Sequence, residues 1–131
     1  MKSREGVIRL KRFQVDEKRR QVTQIETMIA EFERMAKDLD DQIHAEQERS
    51  GIRDVTHFAY PTFAKAAMQR RDNLLASAKE LRDQLAGAQA ECTEAVEELE
   101  KIQAIADRDH SHDRAAEAAA ADVRGATAFA R

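Results

Sequence analysis

The chain has 131 residues, enough for one structural unit, and 36% of them are charged. Only 5% are aromatic, with four glycines, one proline and no tryptophan, so there are few turn-formers and little bulk for a compact globular core. Such a composition points to long helices or coiled coil and excludes a disulfide-built secreted fold, because the single Cys92 has no internal partner.

The opening Met-Lys-Ser-Arg-Glu-Gly is followed by Val7-Ile-Arg-Leu-Lys-Arg12, too charged for the apolar core of a signal peptide. No stretch approaches the roughly 20 apolar residues of a membrane span. The reading is therefore a soluble cytoplasmic protein. Net charge is only −3, but it is unevenly distributed. Between Met1 and Val22 eight basic residues stand against three acidic ones; from Glu91 to Asp113 eight acidic residues stand against Lys101 and Arg108.

In the first half, apolar residues recur in alternating steps of three and four, the period of a coiled-coil seam. Ile8, Val15, Val22, Ile29, Ala36 and Ile43 share one heptad position, a; Ile25, Phe32 and Leu39 share its partner, d, where Lys11, Lys18 and Glu46 are polar exceptions. This predicts helix 1 over about 7–49, ending at Ser50-Gly51, where glycine suits a helix C-cap. A corner over 50–60 follows. Pro61 then opens helix 2, predicted over about 61–109, in the first turn that tolerates it. Helix 2 carries Ala64, Arg71, Ala78, Leu85, Cys92, Leu99 and Ala106 at a, and Ala67, Leu74, Leu81, Ala88, Ala95 and Ile102 at d.

The expected fold is all-α: a two-helix antiparallel coiled-coil hairpin over residues 1–110, with arms roughly 60–70 Å long at 1.5 Å per residue. Folding the chain at about residue 55 makes facing numbers sum to 110. Large residues then mostly oppose small ones, as Ala36 opposes Leu74, Ile43 opposes Ala67 and Phe32 opposes Ala78, although Ile29 opposes Leu81. Glu26 and Arg82 come within reach as an opposite-charge pair, and the basic and acidic segments lie side by side. A one-heptad slip would set Glu46 against Arg71, but helix 1 would then have to run through Gly51. The seam cations Lys11, Lys18 and Arg71 either fix the register or lay their stems over the core while their charges reach water. Residues 111–131 form an alanine-rich tail, frayed or helical, with no hydrophobic stripe.

Chemistry-bearing patterns are few. His110 and His112 stand two apart, and on a helix they point away from each other, so no metal site is expected. Cys92 at an a position between Leu85 and Leu99 reads as a small core hydrophobe. There is no phosphate-binding loop, nucleophile elbow or paired-acid pocket, so neither catalysis nor a cofactor is expected. The basic amino-terminal segment lies beside acidic residues and lacks stacking aromatics apart from Phe13 on the outer face, which argues against nucleic acid as a partner. The corner differs in composition. His57-Phe-Ala-Tyr-Pro-Thr-Phe63 holds three of the six aromatics, with Arg70 and Arg71 close behind. These rings either seal the end of the hairpin or form a partner hot spot, and both can hold.

The segments Arg9-Leu-Lys-Arg-Phe-Gln-Val-Asp-Glu-Lys-Arg-Arg20 running into Ile25-Glu-Thr-Met-Ile29, Phe58-Ala-Tyr-Pro-Thr-Phe-Ala-Lys-Ala-Ala67 and Gln69-Arg-Arg-Asp-Asn-Leu74 resemble the FliJ family, most closely its alphaproteobacterial branch. The resemblance spans roughly residues 1–110, and the corner is its more specific part. It implies a non-enzymatic coiled-coil component of the bacterial flagellar type III export apparatus, located in the cytoplasm and peripherally at the inner membrane. Such a protein couples a hexameric export ATPase (FliI-like) to a membrane export gate (FlhA-like) and assists delivery of chaperones and substrates. An ATPase regulator (FliH-like) is a further possible partner. On this reading Arg4, Arg9, Lys11, Arg12, Lys18, Arg19 and Arg20 lie toward the ATPase, and His57, Phe58, Tyr60, Phe63, Arg70 and Arg71 lie toward the gate. The alternative is a generic structural coiled coil that self-associates as a scaffold. A hairpin predicts a monomer about 70 Å long in solution scattering, and one continuous helix pairing in parallel predicts a dimer near twice that length.

Overall fold

The computed structural model describes residues 2–129 and contains two helices, α1 over Lys2–Ser50 and α2 over Thr62–Phe129, joined by residues 51–61. They pack against each other as an all-α helical hairpin, with no strand among the described residues. Among these residues no helix is long and apolar enough to cross a membrane. α1 begins five residues before Val7, where the heptad pattern becomes readable. α2 continues past Asp109 through the alanine-rich segment, whose alanines have high intrinsic helix propensity.

The chain divides into two compact units. The first comprises Lys18–Glu91. Its core is the heptad seam: Ile29, Ala36 and Ile43 from α1 are buried, as are Ala64, Ala67, Ala78 and Leu81 from α2. Val22, Ile25, Phe32, Leu39, Leu74, Leu85 and Ala88 are half-buried. Every residue assigned to a or d in this unit is thus at least partly covered. A seam two positions wide leaves the rest of each helix in solvent, which accounts for the high charge content.

The ion pairs fix the register of this unit. Lys18 Nζ lies 2.8 Å from Glu91 Oε2, and Arg71 Nη1 lies 2.6 Å from Asp40 Oδ1. The numbers of these two pairs sum to 109 and 111, straddling the predicted 110. Glu46 instead bonds Arg49 on its own helix at 2.6 Å, so the Glu46–Arg71 pair of the slipped register is not made. Arg82 does not take Glu26 but pairs with Glu33, the next residue at the same heptad position toward the corner. Both glutamates flank the same edge, and the arginine's long stem reaches the further one.

The second unit comprises Met1–Glu17 with Cys92–Arg131. Val15 is its one buried hydrophobic residue among those described. Ile8, Cys92, Ala95, Leu99, Ile102 and Ala106 are half-buried. From Asp107 to Gly125 every residue is exposed. Cross-helix polar contacts take up part of the work here. Lys11 Nζ bonds Glu98 Oε2 at 2.9 Å, and Arg4 pairs with Asp109.

The corner is built by local hydrogen bonds. Gly51 adopts φ +73°, the left-handed conformation in which a Cβ is strained, and its N–H donates to Gln47 O at 2.9 Å to close α1. Ser50 Oγ accepts the N–H of Ile52 at 3.2 Å. Asp54 Oδ1 then accepts both the N–H and the hydroxyl of Thr56, at 3.0 and 2.7 Å, and the Asp54 carbonyl accepts the N–H of His57 at 3.1 Å. These bonds to the charged form hold the Asp54 carboxyl below its ordinary pKa, with the Thr56 hydroxyl contributing most. The Pro61 carbonyl accepts the N–H of Lys65 at 3.1 Å and opens α2.

Replacing Ile29 with alanine should cost about 2–4 kcal/mol in chemical denaturation followed by circular dichroism, since the seam has little freedom to collapse around the gap. Gly51→Ala should cost about 1–2 kcal/mol by the same measurement, from left-handed backbone strain alone.

Candidate functional site: the corner and the basic stretch of α1

The aromatic corner divides between inside and outside. Tyr60 is 6% exposed, tucked against the end of the seam. Its hydroxyl accepts from Gln47 Nε2 at 2.9 Å and lies 3.5 Å from Met68 Sδ as a donor, so both faces of the polar tip are satisfied. Phe58, two residues earlier, is 96% exposed. Its ring stacks on His57 with centroids 4.8 Å apart and planes 21° from parallel. The His57 ring is held in turn, because its Nδ1 accepts the N–H of Ala59 at 3.0 Å. The Phe58 side chain therefore stands on a braced loop with almost all of its surface in solvent. Phe63, in the first turn of α2, is 55% exposed.

The two arginines behind the corner also differ. Arg70 is exposed. Arg71 occupies a seam position, is half-buried, and bonds Asp40 at 2.6 Å and Asp72 at 3.2 Å. The bond to Asp40 is the main cause that raises its guanidinium above the ordinary arginine value. Its Nη1 and Nε donors are thus engaged within the hairpin, while Arg70 is exposed.

The basic residues near the start of α1 separate in the same way. In the terminal unit, Arg4 and Lys11 are half-buried and engaged with Asp109 and Glu98 on α2, while Arg9 and Arg12 are exposed. In the Lys18–Glu91 unit, Lys18 is half-buried and engaged with Glu91; Arg19 and Arg20 are exposed. Position in the heptad decides this: 4, 11 and 18 fall on the seam, and 9, 12, 19 and 20 fall outside it. The Lys11 ammonium also holds the Glu98 carboxyl below the usual carboxylate range, chiefly by hydrogen bonding and then by its charge.

Apart from Phe13 and Phe63, the exposed apolar residues on the helices were not singled out by sequence. Val7, Leu10, Phe13 and Ile105 are exposed in the terminal unit, and Met28, Met35 and Leu75 in the other. His110 and His112 lie exposed on α2, and among the described residues no group of three or more metal-binding side chains converges. Cys92 is a half-buried free thiol at its predicted seam position.

No family model, curated protein or solved structure matches this chain. The geometry therefore stands alone: a braced, exposed aromatic at the corner, and cations on α1 sorted by heptad position into seam and surface.

Tyr60→Ala should destabilise by about 3–5 kcal/mol, as loss of a buried aromatic does, whereas Phe58→Ser should stay within about 0.5 kcal/mol, as an exposed site does; parallel thermal melts compare them. In an NMR titration, Lys11→Gln should raise the pKa of Glu98 toward the ordinary carboxylate value. Because Glu98 is depressed in the folded state, its contribution to stability is present above the unfolded carboxylate pKa. That contribution is lost as pH falls through the folded value.

Proposed function

We propose that this chain is a non-catalytic coupling component of a bacterial flagellar type III export apparatus, joining an export ATPase to a membrane export gate and assisting chaperone and substrate delivery. The observation that carries the reading is Phe58. A fully solvated aromatic costs solubility and contributes nothing to the core, and here it stands on a loop braced by its own hydrogen bonds. A pre-ordered aromatic anchor loses little conformational freedom on binding, the usual character of an interface hot spot. The corner segment that carries it is also the more specific part of the resemblance to the FliJ family.

On this reading the gate-side contact is made by Phe58 and Phe63, with Arg70 at its margin, while Tyr60 and Arg71 hold the corner in shape. The ATPase-side contact is made by Arg9, Arg12 and Arg19, which lie outside the seam. Arg4, Lys11 and Lys18 serve the hairpin itself. Work at the inner membrane would then be peripheral, through the gate protein.

Deleting the gene should abolish motility and filament assembly. The tagged chain should co-purify with an export ATPase and a gate protein. Phe58→Ser with Phe63→Ser should lose the gate and keep the ATPase, and Arg9→Glu with Arg12→Glu should do the reverse. Normal flagella in a clean deletion would sink the proposal.

A further inference from the structure

Within the Lys18–Glu91 unit, α1 carries a second apolar seam besides the one it shares with α2. Ile25, Met28, Phe32, Met35 and Leu39 follow one another in steps of three, four, three and four, a complete heptad alternation of their own. Ile25, Phe32 and Leu39 are the d residues of the hairpin seam, and α2 covers each only in part. Met28 and Met35 lie at position g, 44% and 41% exposed.

A strict two-helix coiled coil needs apolar residues at a and d alone. An apolar stripe over a, d and g is the wider face of a helix that packs against more than one neighbour. Over residues 25–39, α1 has that wider face, and α2 fills only the a–d portion of it. The uncovered strip extends for roughly 21 Å at 1.5 Å per residue, the length of about four helical turns. Methionine suits it to a docking role, since its flexible thioether repacks against different partners.

The charge beside the strip selects the occupant. Glu31 and Asp38, both exposed, follow its outer border on α1 at the heptad position next to g. On α2 the residues at g are Arg70, Ser77 and Gln84, with exposed Glu80 beyond them, so Arg70 is the cation at the corner-ward end. A second copy docked by the same strip about a two-fold axis would bring Glu31 of one chain against Glu31 of the other, which repels. A helix with a basic flank meets complementary charge instead.

We propose that the Met28–Met35 face of α1 is a docking groove for a partner's amphipathic helix with lysine or arginine flanking its apolar stripe, which adds to the hairpin as a third coiled-coil strand. The inference does not depend on the export reading or on the corner.

The test uses the full chain and two fluorescent three-heptad peptides, alike in their leucine stripe and flanked by lysine in one and glutamate in the other. Fluorescence anisotropy should show the lysine peptide binding at least about tenfold more tightly, and Met28→Ser with Met35→Ser should weaken it by at least about tenfold, some 1.4 kcal/mol. Glu31→Lys with Asp38→Lys should reverse the preference between peptides. Leu10→Ser, an exposed apolar change in the other unit, should leave binding unaltered, and unchanged thermal melts should show that the variants fold. Equal affinity for both peptides would overturn the proposal, as would indifference to the methionine substitutions. A concentration-dependent dimer in sedimentation velocity that the methionine substitutions abolish would also overturn it, assigning the face to a second copy. Binding of anionic lipid vesicles in preference to the lysine peptide would assign it to a membrane surface instead.

Discussion

Burial of a strip two side chains wide on each helix is the constraint from which the other features of this hairpin follow. A two-helix structure has no third layer, so a residue is either on that strip or in water. Alanines at Ala64, Ala67 and Ala78 are almost wholly buried, and they let the larger Ile29, Ile43 and Leu81 occupy the space between the axes. The interface is close-packed through complementary sizes rather than through uniformly large residues. The same narrowness explains why so charged a chain folds: most positions never meet the core.

The exceptions on the seam are handled by a common device. Lys11, Lys18 and Arg71 lie at core positions, each half-buried, and each ends on a carboxylate of the opposite helix. Their stems cover apolar neighbours, and the charge is satisfied at the rim of the seam. Exposed pairs of this kind contribute about 0–1 kcal/mol each, so they do little for stability. A slip by a heptad would separate Arg71 from Asp40 and set it against Glu46, which here bonds Arg49 on its own helix.

The two proposed interaction surfaces arise in different ways. At the corner, tight local turns leave no interior for three rings, so Tyr60 enters the end of the seam and Phe58 remains outside. Along α1, the excess is in the pattern: its apolar face is wider than one neighbouring helix can cover. In both places the hairpin presents apolar surface held in a fixed geometry, and that reduces the entropy lost when a partner binds. The cations outside the seam, by contrast, are long flexible groups better suited to steering and to phosphate or carboxylate contacts than to anchoring.

Periodicity made the two helices, their seam residues and the antiparallel fold legible in the sequence, because a repeat of 3.5 residues forces one face of each helix toward a partner. The C-cap at Gly51 was legible for an equally local reason, since only glycine enters the left-handed region without strain. The heptad pattern by itself also separates Lys11 and Lys18 from Arg9 and Arg12. Tertiary structure alone decided which corner ring turns inward, because residues 51–61 have no period and their course depends on hydrogen bonds from Asp54, His57 and Gln47. It also decided that Arg82 takes Glu33 rather than Glu26, a choice between two equivalent heptad positions. The steps from Ile25 to Leu39 were present in the sequence, but a pattern cannot reveal which part of a face its neighbour leaves uncovered. That depends on how far α2 reaches across α1.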